Sequence, residues 1–418
     1  TMSVHFMTAV IVFYLLLAPK LQARARSRGF ITPADYLQDR FAYAPLSVLA
    51  SVVMIVALSN YLLAQLMAMG RAVEGLSAST GTDVYIWAVV ALALIMVVYE
   101  TLGGLRAVAW TDVLQGVVLM LGFAILTVLV LIYFGGPETS ALKILGQDGG
   151  GEKLQPPGWA MSREWVSYIF VVGIGAALYP QAIQRLYAAR SPAVLRRSLQ
   201  VMAFLPLTAT LIAVFIGITA LANFPGLEGA EADRVLAVVF RDIQSQGSVG
   251  YWLVVVLFAA VLAAIMSTAD SALLSISSMF SSDLYRRARP GAGESRLTKV
   301  GKVSSWALIV ILVVLAIVLR GTTLLKLLDR KFDLLVQLSP AFFIGLHWSG
   351  LRSRPVFAGL VAGLAISLGL AFGVSGKPWG IHAGLYGLPV NLVIAVGGSL
   401  LGSGEAGSAK TEKQALSG

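Results

Sequence analysis

Three residues in the apolar stretch 250–279 present oxygen atoms at a spacing that suits a small cation. Ala264, Ser267 and Thr268 stand at positions i, i+3 and i+4, so they share one face of a helix. A carbonyl beside two hydroxyls is a neutral set of hard ligands, which favours a monovalent cation over a transition metal. The alternative is structural: such hydroxyls often bond back to a carbonyl one turn earlier or allow close helix packing.

A carboxylate lies in the same apolar stretch. Asp270 follows the hydroxyl pair by two residues and is followed by further serines. A charged group in a membrane helix must face the interior of the bundle or a wet cavity, because burying it in lipid is costly. We therefore predict a role in cation coupling for Asp270, with hydrogen bonding to the neighbouring hydroxyls as the alternative.

The second polar constellation is the segment 99–115, between two apolar stretches. The local interpretation is that Gly103 and Gly104 end one helix and that Thr111 or Asp112 caps the next. That interpretation explains each residue type separately. It does not explain why all of them occur together.

The composition identifies the elements that must position these groups as membrane helices. Of 418 residues, 57% are hydrophobic and 12% are charged, against roughly 45–50% and about 25% in soluble domains. The absence of cysteine and the presence of only three histidines argue against thiolate, haem or redox-metal chemistry. The net charge of +10 lies mostly in loops on one side, so it does not indicate nucleic-acid binding.

Apolar stretches of 17 residues or more recur along the whole chain and predict an all-α membrane protein with about eleven spans. One transmembrane domain is expected over 1–403, followed by a short flexible tail over 404–418. The expected spans are 3–19, 44–69, 84–101, 112–134, 165–183, 198–222, 250–279, 302–319, 332–348, 355–374 and 383–402.

The distribution of Lys and Arg predicts the orientation in the membrane. With Lys302 counted on that face, one set of segments holds 20 of the 31 basic residues, which places the set in the cytoplasm. The N-terminus is then outside and the C-terminus inside. The inner segments are 20–43, 102–111, 184–197, 280–301, 349–354 and the tail. Among the outer segments, 135–164 and 223–249 are long polar loops, and the basic 320–331 is expected to be a loop or a short amphipathic helix on the surface.

The two polar constellations together resemble a known family. The stretches GGLRAVAWTDVLQ (103–115) and AAIMSTADSALLSISSMFSSDLY (263–285) are similar to signatures of the sodium/solute symporter family, which includes sodium-coupled sugar, proline, pantothenate and monocarboxylate transporters. The similarity covers essentially the whole chain in order. Further agreement lies in 32–37 with Arg40, in 180–185 and in 337–340.

The resemblance implies a fold of two inverted five-helix repeats, with cation and solute bound at mid-membrane where helices are broken. It assigns the Ala264 carbonyl and the Ser267 and Thr268 hydroxyls to half of the main sodium site. Asp112 matches an aspartate tied to a further cation site or to the inward release of the cation.

The resemblance also points to the residues of a solute site or gate. The fifth span matches the helix that carries solute contacts and an inner gate, and Tyr179 and Gln181 are its candidates. Gln65 in the second span is a weaker candidate, with an interhelical hydrogen bond as the alternative. Gln337 in the ninth span completes the set.

The sequence also departs from the family, whose members have a leading span and a broken helix ahead of the segment that opens this chain. Both are expected to be missing, and the broken helix would complete the sodium site. The main interpretation is that the sequence is a piece of a longer protein. The alternative is a natural short form that does not hold sodium in the usual way.

The sequence thus predicts a secondary-active symporter, not an enzyme, in the cell membrane. A sodium gradient is expected to drive uptake of a small organic solute by alternating access, with a proton as the alternative coupling ion. The bilayer and the solute are the expected partners; nucleic acid and an obligate protein partner are not. The rival hypothesis is a transporter-like sensor or receptor that binds solute without concentrating it, while the lack of Cys and the few His argue against a membrane redox enzyme.

Overall fold

The computed structural model describes residues 2–77, 82–227, 232–245, 247–373 and 377–415, and every regular element in these ranges is helical. The first helices are α1 (Met2–Arg28), α2 (Pro33–Phe41), α3 (Ala44–Leu76), α4 (Thr82–Phe134), α5 (Pro137–Leu145), α6 (Gly150–Lys153), α7 (Trp159–Ala177) and α8 (Pro180–Tyr187). The remaining α-helices are α9 (Pro192–Asn223), α10 (Val235–Ser245), α11 (Ser248–Met279), α12 (Arg286–Ala288), α13 (Glu294–Val318), α14 (Leu324–Leu335), α15 (Gly345–His347), α16 (Ser353–Gly373) and α17 (Ala383–Ala415).

Nine helices among the described residues are long and apolar enough to cross a bilayer, and the bent pair α7–α8 makes a tenth. The ninth expected span, 332–348, is the one that brings the expected number to eleven, and it is not a continuous helix. It contains the end of α14, a 3₁₀ turn at Val336–Leu338, a π-helical turn at Pro340–Ile344 and α15. A hydropathy pattern does not reveal such breaks, because the apolar character continues through them.

The kink in α4 separates two spans, Asp83–Gly104 and Arg106–Phe134. Gly104 has φ 58° and ψ −161°, a conformation that side chains strongly disfavour. The prediction that the glycine pair ends one helix is confirmed. The following span begins at Arg106, six residues before the expected start at 112, so Asp112 lies inside the helix and is not its cap.

The bent pair α7–α8 is the other break that concerns the site. The two helices meet at an angle of 44°, with Tyr179 in an extended conformation between them and Pro180 in the first turn of α8. Proline suits that position because it has no N–H to donate and its φ is already helical. The break interrupts the helix within a span.

The segments that were expected to lie outside contain more helix than expected. The segment 135–164 includes α5 and α6, and 223–249 includes α10, which buries Phe240 and Ile243 among its apolar residues. In the segment 320–331, α14 begins at Leu324, so the expectation of a short helix here is met. The expected surface position of this helix is wrong, because Lys331 is buried and α14 packs on α3 and α7.

The last two spans, α16 and α17, pack against each other more extensively than any other pair. Glycine makes this approach close. A methyl group at Gly387 would overlap the Gly363 carbonyl and the Ser367 hydroxyl. In lipid, where the hydrophobic effect does not drive helices together, such contacts between small residues stabilise helix pairs. Beyond the end of the candidate span at Leu401, α17 continues to Ala415, through most of the expected tail.

Candidate functional site

The predicted cation half-site lies on α11, about two thirds of the way along the helix. The Thr268 hydroxyl donates to the Ala264 carbonyl at 3.1 Å, which is the back-bond considered as the alternative. The Ser267 hydroxyl instead donates to Asp112 Oδ1. A carbonyl oxygen has two lone pairs and a hydroxyl two acceptor sites, so all three residues can still offer oxygen to a cation. Ser267 and Thr268 are half-buried.

Asp112 joins α4 to α11 and α8. One carboxylate oxygen accepts the Ser267 hydroxyl, and the other accepts Arg185 Nη2 at 2.5 Å. The capping alternative for Thr111 also fails, because its hydroxyl donates backwards to the carbonyls of Ala107 and Val108 at 3.2 and 2.9 Å. The structure therefore brings Asp112 to the half-site, where its charge can attract a cation.

Arg185 on α8 is a polar neighbour of the half-site. Its guanidinium also donates to the Ser271 hydroxyl, which in turn donates to the Ser267 carbonyl at 2.9 Å. α8 is held on α11 by Gln184, whose amide donates to Ser278 at 2.9 Å. A mobile cation at Ser267 and the tethered guanidinium would compete for the same carboxylate.

Asp270 has a different environment from Asp112. Its side chain is 0% exposed, and neither carboxylate oxygen has a hydrogen-bond partner among the described residues. The alternative role of bonding to neighbouring hydroxyls is therefore not seen. The hydroxyl of Ser271 bonds the helix backbone, and that of Ser275 donates to Gln184 at 2.8 Å.

The candidate gate residue Tyr179 lies at the break between α7 and α8. Its ring stacks on that of Tyr61 on α3, with the ring centroids 5.5 Å apart and an angle of 14° between the planes. The ring centroid of Phe332 on α14 lies 5.6 Å from that of Tyr179. The Tyr61 side chain also interacts with Thr268. The cation half-site and the broken helix are thus connected through one aromatic side chain.

The candidate glutamines occupy three different places. Gln181 lies in the first turn of α8, and its buried Oε1 has no partner among the described residues. Gln65 is half-buried on α3, one turn beyond Tyr61. Both lie on elements that also carry the stacked tyrosines, so they are in the neighbourhood of the broken helix.

Gln337 belongs to another contact group. It is 1% exposed, and its amide donates to the Ser367 hydroxyl at 3.0 Å and to the Gly384 carbonyl at 2.7 Å. Its Oε1 accepts from Asn391 at 3.3 Å. The structure therefore places Gln337 against α16 and α17, with its hydrogen-bonding groups directed to those helices.

A cluster of charges fixes α14 to α7 and to the segment before α17. Lys377 pairs with Asp329 at 2.8 Å and with Glu164 at 2.9 Å, and the Tyr168 hydroxyl donates to Asp329 at 2.6 Å. Burial lowers the pKa of the Lys377 ammonium, but its hydrogen bonds, the one to Asp329 foremost, outweigh burial and raise the pKa above its ordinary value. The lysine stays charged, which keeps the cluster together.

Two residues at the site were not predicted from the sequence. Arg185 lies in the stretch 180–185 that resembles the family but was not among the candidate residues, and Lys331 was expected in an outer loop. The signal for Arg185 was its position six residues after Tyr179, within the short helix that follows the break. The signal for Lys331 was a basic residue directly before an apolar stretch.

The chain is similar to transporters of known and unknown solute. The model of the "Sodium:solute symporter family" matches residues 1–363. The chain is 25% identical to the uncharacterized symporter YhjB of Bacillus subtilis, over 85% of this chain and 71% of that protein. It is 26% identical to the sodium/proline symporter of Salmonella typhimurium, over 83% and 69%, and 26% identical to the sodium/glucose cotransporter of Vibrio parahaemolyticus, over 68% and 57%.

The fold also has a solved counterpart. The structure of a Na+-coupled sialic acid symporter, in a substrate-bound outward-open state, aligns with 96% of this chain and 87% of its own, with a TM-score of 0.67 and 19% sequence identity. At that identity the likeness concerns the fold. The apolar helices and these relatives identify a multi-pass membrane protein, and the family match over residues 1–363 shows that the chain belongs to the sodium:solute symporter family.

Proposed function

We propose that this chain couples the movement of sodium to the transport of a small organic solute by alternating access. The observation that carries the proposal is the hydrogen bond of Ser267, which neighbours Thr268 on α11, to the carboxylate of Asp112. That carboxylate also bonds Arg185 on α8, in the span broken at Tyr179. Hydroxyl, carbonyl and carboxylate oxygens suit sodium, and a broken helix supplies the free backbone groups of a transport site.

In this proposal Ala264, Ser267 and Thr268 contribute oxygen ligands to the sodium ion. Asp112 attracts the ion and, on the inner side, exchanges it for Arg185. The sodium-coupled relatives named above support this choice of ion over a proton. Tyr179 and Gln181 act at the gate or contact the solute. The N-terminus lies outside and the C-terminus lies in the cytoplasm.

Coupling requires that sodium and solute prefer the same state of the transporter. The contact between Tyr61 and Thr268 offers such a link, because Tyr61 also stacks on Tyr179. A sodium ion that orders Thr268 would thereby order the aromatic side chains at the break. Asp270, buried with no hydrogen-bond partner among the described residues, is a second candidate for cation coupling.

The test replaces one oxygen ligand. In the full-length protein, Thr268→Ala is expected to raise the sodium concentration for half-maximal uptake about fivefold, since one lost ligand interaction is worth on the order of 1 kcal/mol. The measurement is solute uptake into proteoliposomes over a range of sodium concentrations, with membrane insertion checked separately.

Thr208→Ala is the matched control. Thr208 lies on α9 and makes the same back-bond, to the Phe204 carbonyl at 3.0 Å, without neighbouring the half-site. Its replacement should leave the sodium dependence unchanged. An unchanged sodium dependence in Thr268→Ala as well would remove Thr268 from the sodium site.

A further inference from the structure

α14 carries a buried lysine that the sodium site does not use. Lys331 is 3% exposed. Among the described residues, no carboxylate forms an ion pair with it. Burying an ammonium away from water is costly unless another group compensates the charge. The protein therefore needs a reason to keep a lysine at this position.

The groups around Lys331 are aromatic. Its Nζ lies 3.3 Å from the ring centroid of Tyr61, 5.0 Å from that of Tyr179 and 4.8 Å from that of Phe332. Ring faces attract a cation, which explains how a lysine is tolerated at this buried position. They supply no negative charge of their own, so the ammonium keeps its capacity to bind an anion.

The two carboxylates nearest in sequence are engaged elsewhere. Asp329 pairs with Lys377, and Asp333 accepts the Gly384 amide at 2.7 Å. Residues two apart on a helix do not share a face, so both carboxylates lie on the side of α14 away from Lys331. The charge of Asp329 still acts on Lys331, but the Asp329 carboxylate is paired with Lys377.

The position of Lys331 relates it to the transport site. Tyr179 lies at the break of the α7–α8 span, and Tyr61 interacts with Thr268 of the cation half-site. An anion on Lys331 would thus lie between the break and the sodium ligands. Attraction between that anion and sodium would favour their binding together, which is the requirement for symport.

We propose that Lys331 binds the carboxylate of the transported solute, so that the solutes of this protein are small organic carboxylates. One ammonium matches one carboxylate, whereas phosphate recognition commonly employs several donors or a bidentate arginine. The rings of Tyr61, Tyr179 and Phe332 would contact the apolar body of the solute. The inference rests on the proposed transport function and adds the solute class to it.

The first test requires no variant. The full chain is purified in detergent with sodium chloride, and its melting temperature is followed while propionate, pyruvate or benzoate is added. Propionamide and benzamide, of the same shape without the charge, are the matched ligands. We expect carboxylates to raise the melting temperature and the amides to leave it unchanged. Equal shifts from acid and amide, or no shift from any carboxylate of the set, would overturn the inference.

The second test removes the charge. Lys331→Gln should weaken the binding of the stabilising carboxylate about tenfold or more, as expected for a hydrogen bond to a charged group, and Lys331→Arg should retain part of it. Arg330→Gln is the control, since the neighbouring Arg330 is exposed and lies on the ring of Phe372. Unaltered carboxylate binding by Lys331→Gln, or a Lys331-dependent response to chloride instead, would contradict the proposal.

Solute uptake into proteoliposomes, driven by an inward sodium gradient, separates this inference from the proposed function. Accumulation of D-glucose that is unaffected by Lys331→Gln would overturn the carboxylate assignment and leave sodium-coupled transport standing. Carboxylate binding that depends on Lys331, without accumulation of any bound carboxylate, would support the assignment and contradict transport. We expect both binding and accumulation to depend on the lysine.

Discussion

Asp112 is the residue on which the polar contacts of three helices converge. It receives a hydroxyl from α11 and a guanidinium from α8 while lying on α4. Its partner Arg185 is about half exposed, with 54% of its side chain accessible, whereas 18% of the Asp112 side chain is accessible. The carboxylate can therefore exchange one cationic partner for another without leaving its place, as the release of a bound ion would require.

A double-mutant cycle tests this contact. Asp112→Asn and Arg185→Gln should each lower the melting temperature. The double variant should lose less stability than the sum of the two single losses, because both substitutions remove the same ion pair. We expect a coupling of about 0.5–1 kcal/mol for this partly exposed pair, measured by thermal unfolding in detergent.

The matched control is a pair at the protein surface. Arg286 and Glu294 are 2.7 Å apart, with 40% and 86% of their side chains exposed. Their cycle should show a coupling near zero, since solvent screens exposed pairs. Additive effects at Asp112 and Arg185 would mean that the two side chains act independently.

The sequence could predict which residues lie on one helix face, but not their partners on other helices. The spacing of Ser267 and Thr268 is a property of α11 alone, so their place on one helix face could be predicted from the sequence. The contact of Asp112 with Arg185 depends on how α4, α8 and α11 pack, and no local pattern encodes it. Lys331 was missed for the related reason that its burial comes from α3 and α7.

At the scale of the element, the breaks in the helices are the features that hydropathy conceals. The fifth span was expected to be one segment, 165–183, and is divided at Tyr179 into α7 and α8. The ninth was expected over 332–348 and is divided after Leu335. Pro180 marks the first break, at the start of α8, whereas the second break was not predicted.

The contact between α16 and α17 provides a prediction at this scale. Gly387→Ala should destabilise the protein by about 1–3 kcal/mol, because the added methyl group overlaps the Gly363 carbonyl and the Ser367 hydroxyl. The measurement is again the melting temperature in detergent. Since Gln337 bonds to Ser367, the ninth span should be disturbed as well.

Gly397→Ala is the control on the same helix. A methyl group there meets no atom within 4 Å, so the variant should be neutral or more stable by up to about 1 kcal/mol, the helix preference of alanine over glycine. Equal melting temperatures for the two variants would show that the close approach of α16 and α17 is not needed for stability.

At the scale of the whole molecule, the bundle has one extensive core and a smaller one. The smaller core joins the second half of α4 to α9, α10 and the start of α11. The half-site lies farther along α11, beside residues such as Ala269 and Ala272 that belong to the large core. The class of fold and its family could be predicted from apolar periodicity and motif, whereas the division into two cores depends on packing that sequence periodicity does not contain.

Sodium flux driven by solute is the most direct measurement of the central claim. The full-length protein is reconstituted into proteoliposomes, and radiolabelled sodium influx is recorded after adding pyruvate, proline or glucose outside. Coupled transport predicts that at least one of these solutes accelerates sodium entry, and that Thr268→Ala reduces this acceleration at the same low sodium concentration. A solute that binds the protein but leaves sodium entry unchanged would contradict symport and identify the behaviour of a sensor.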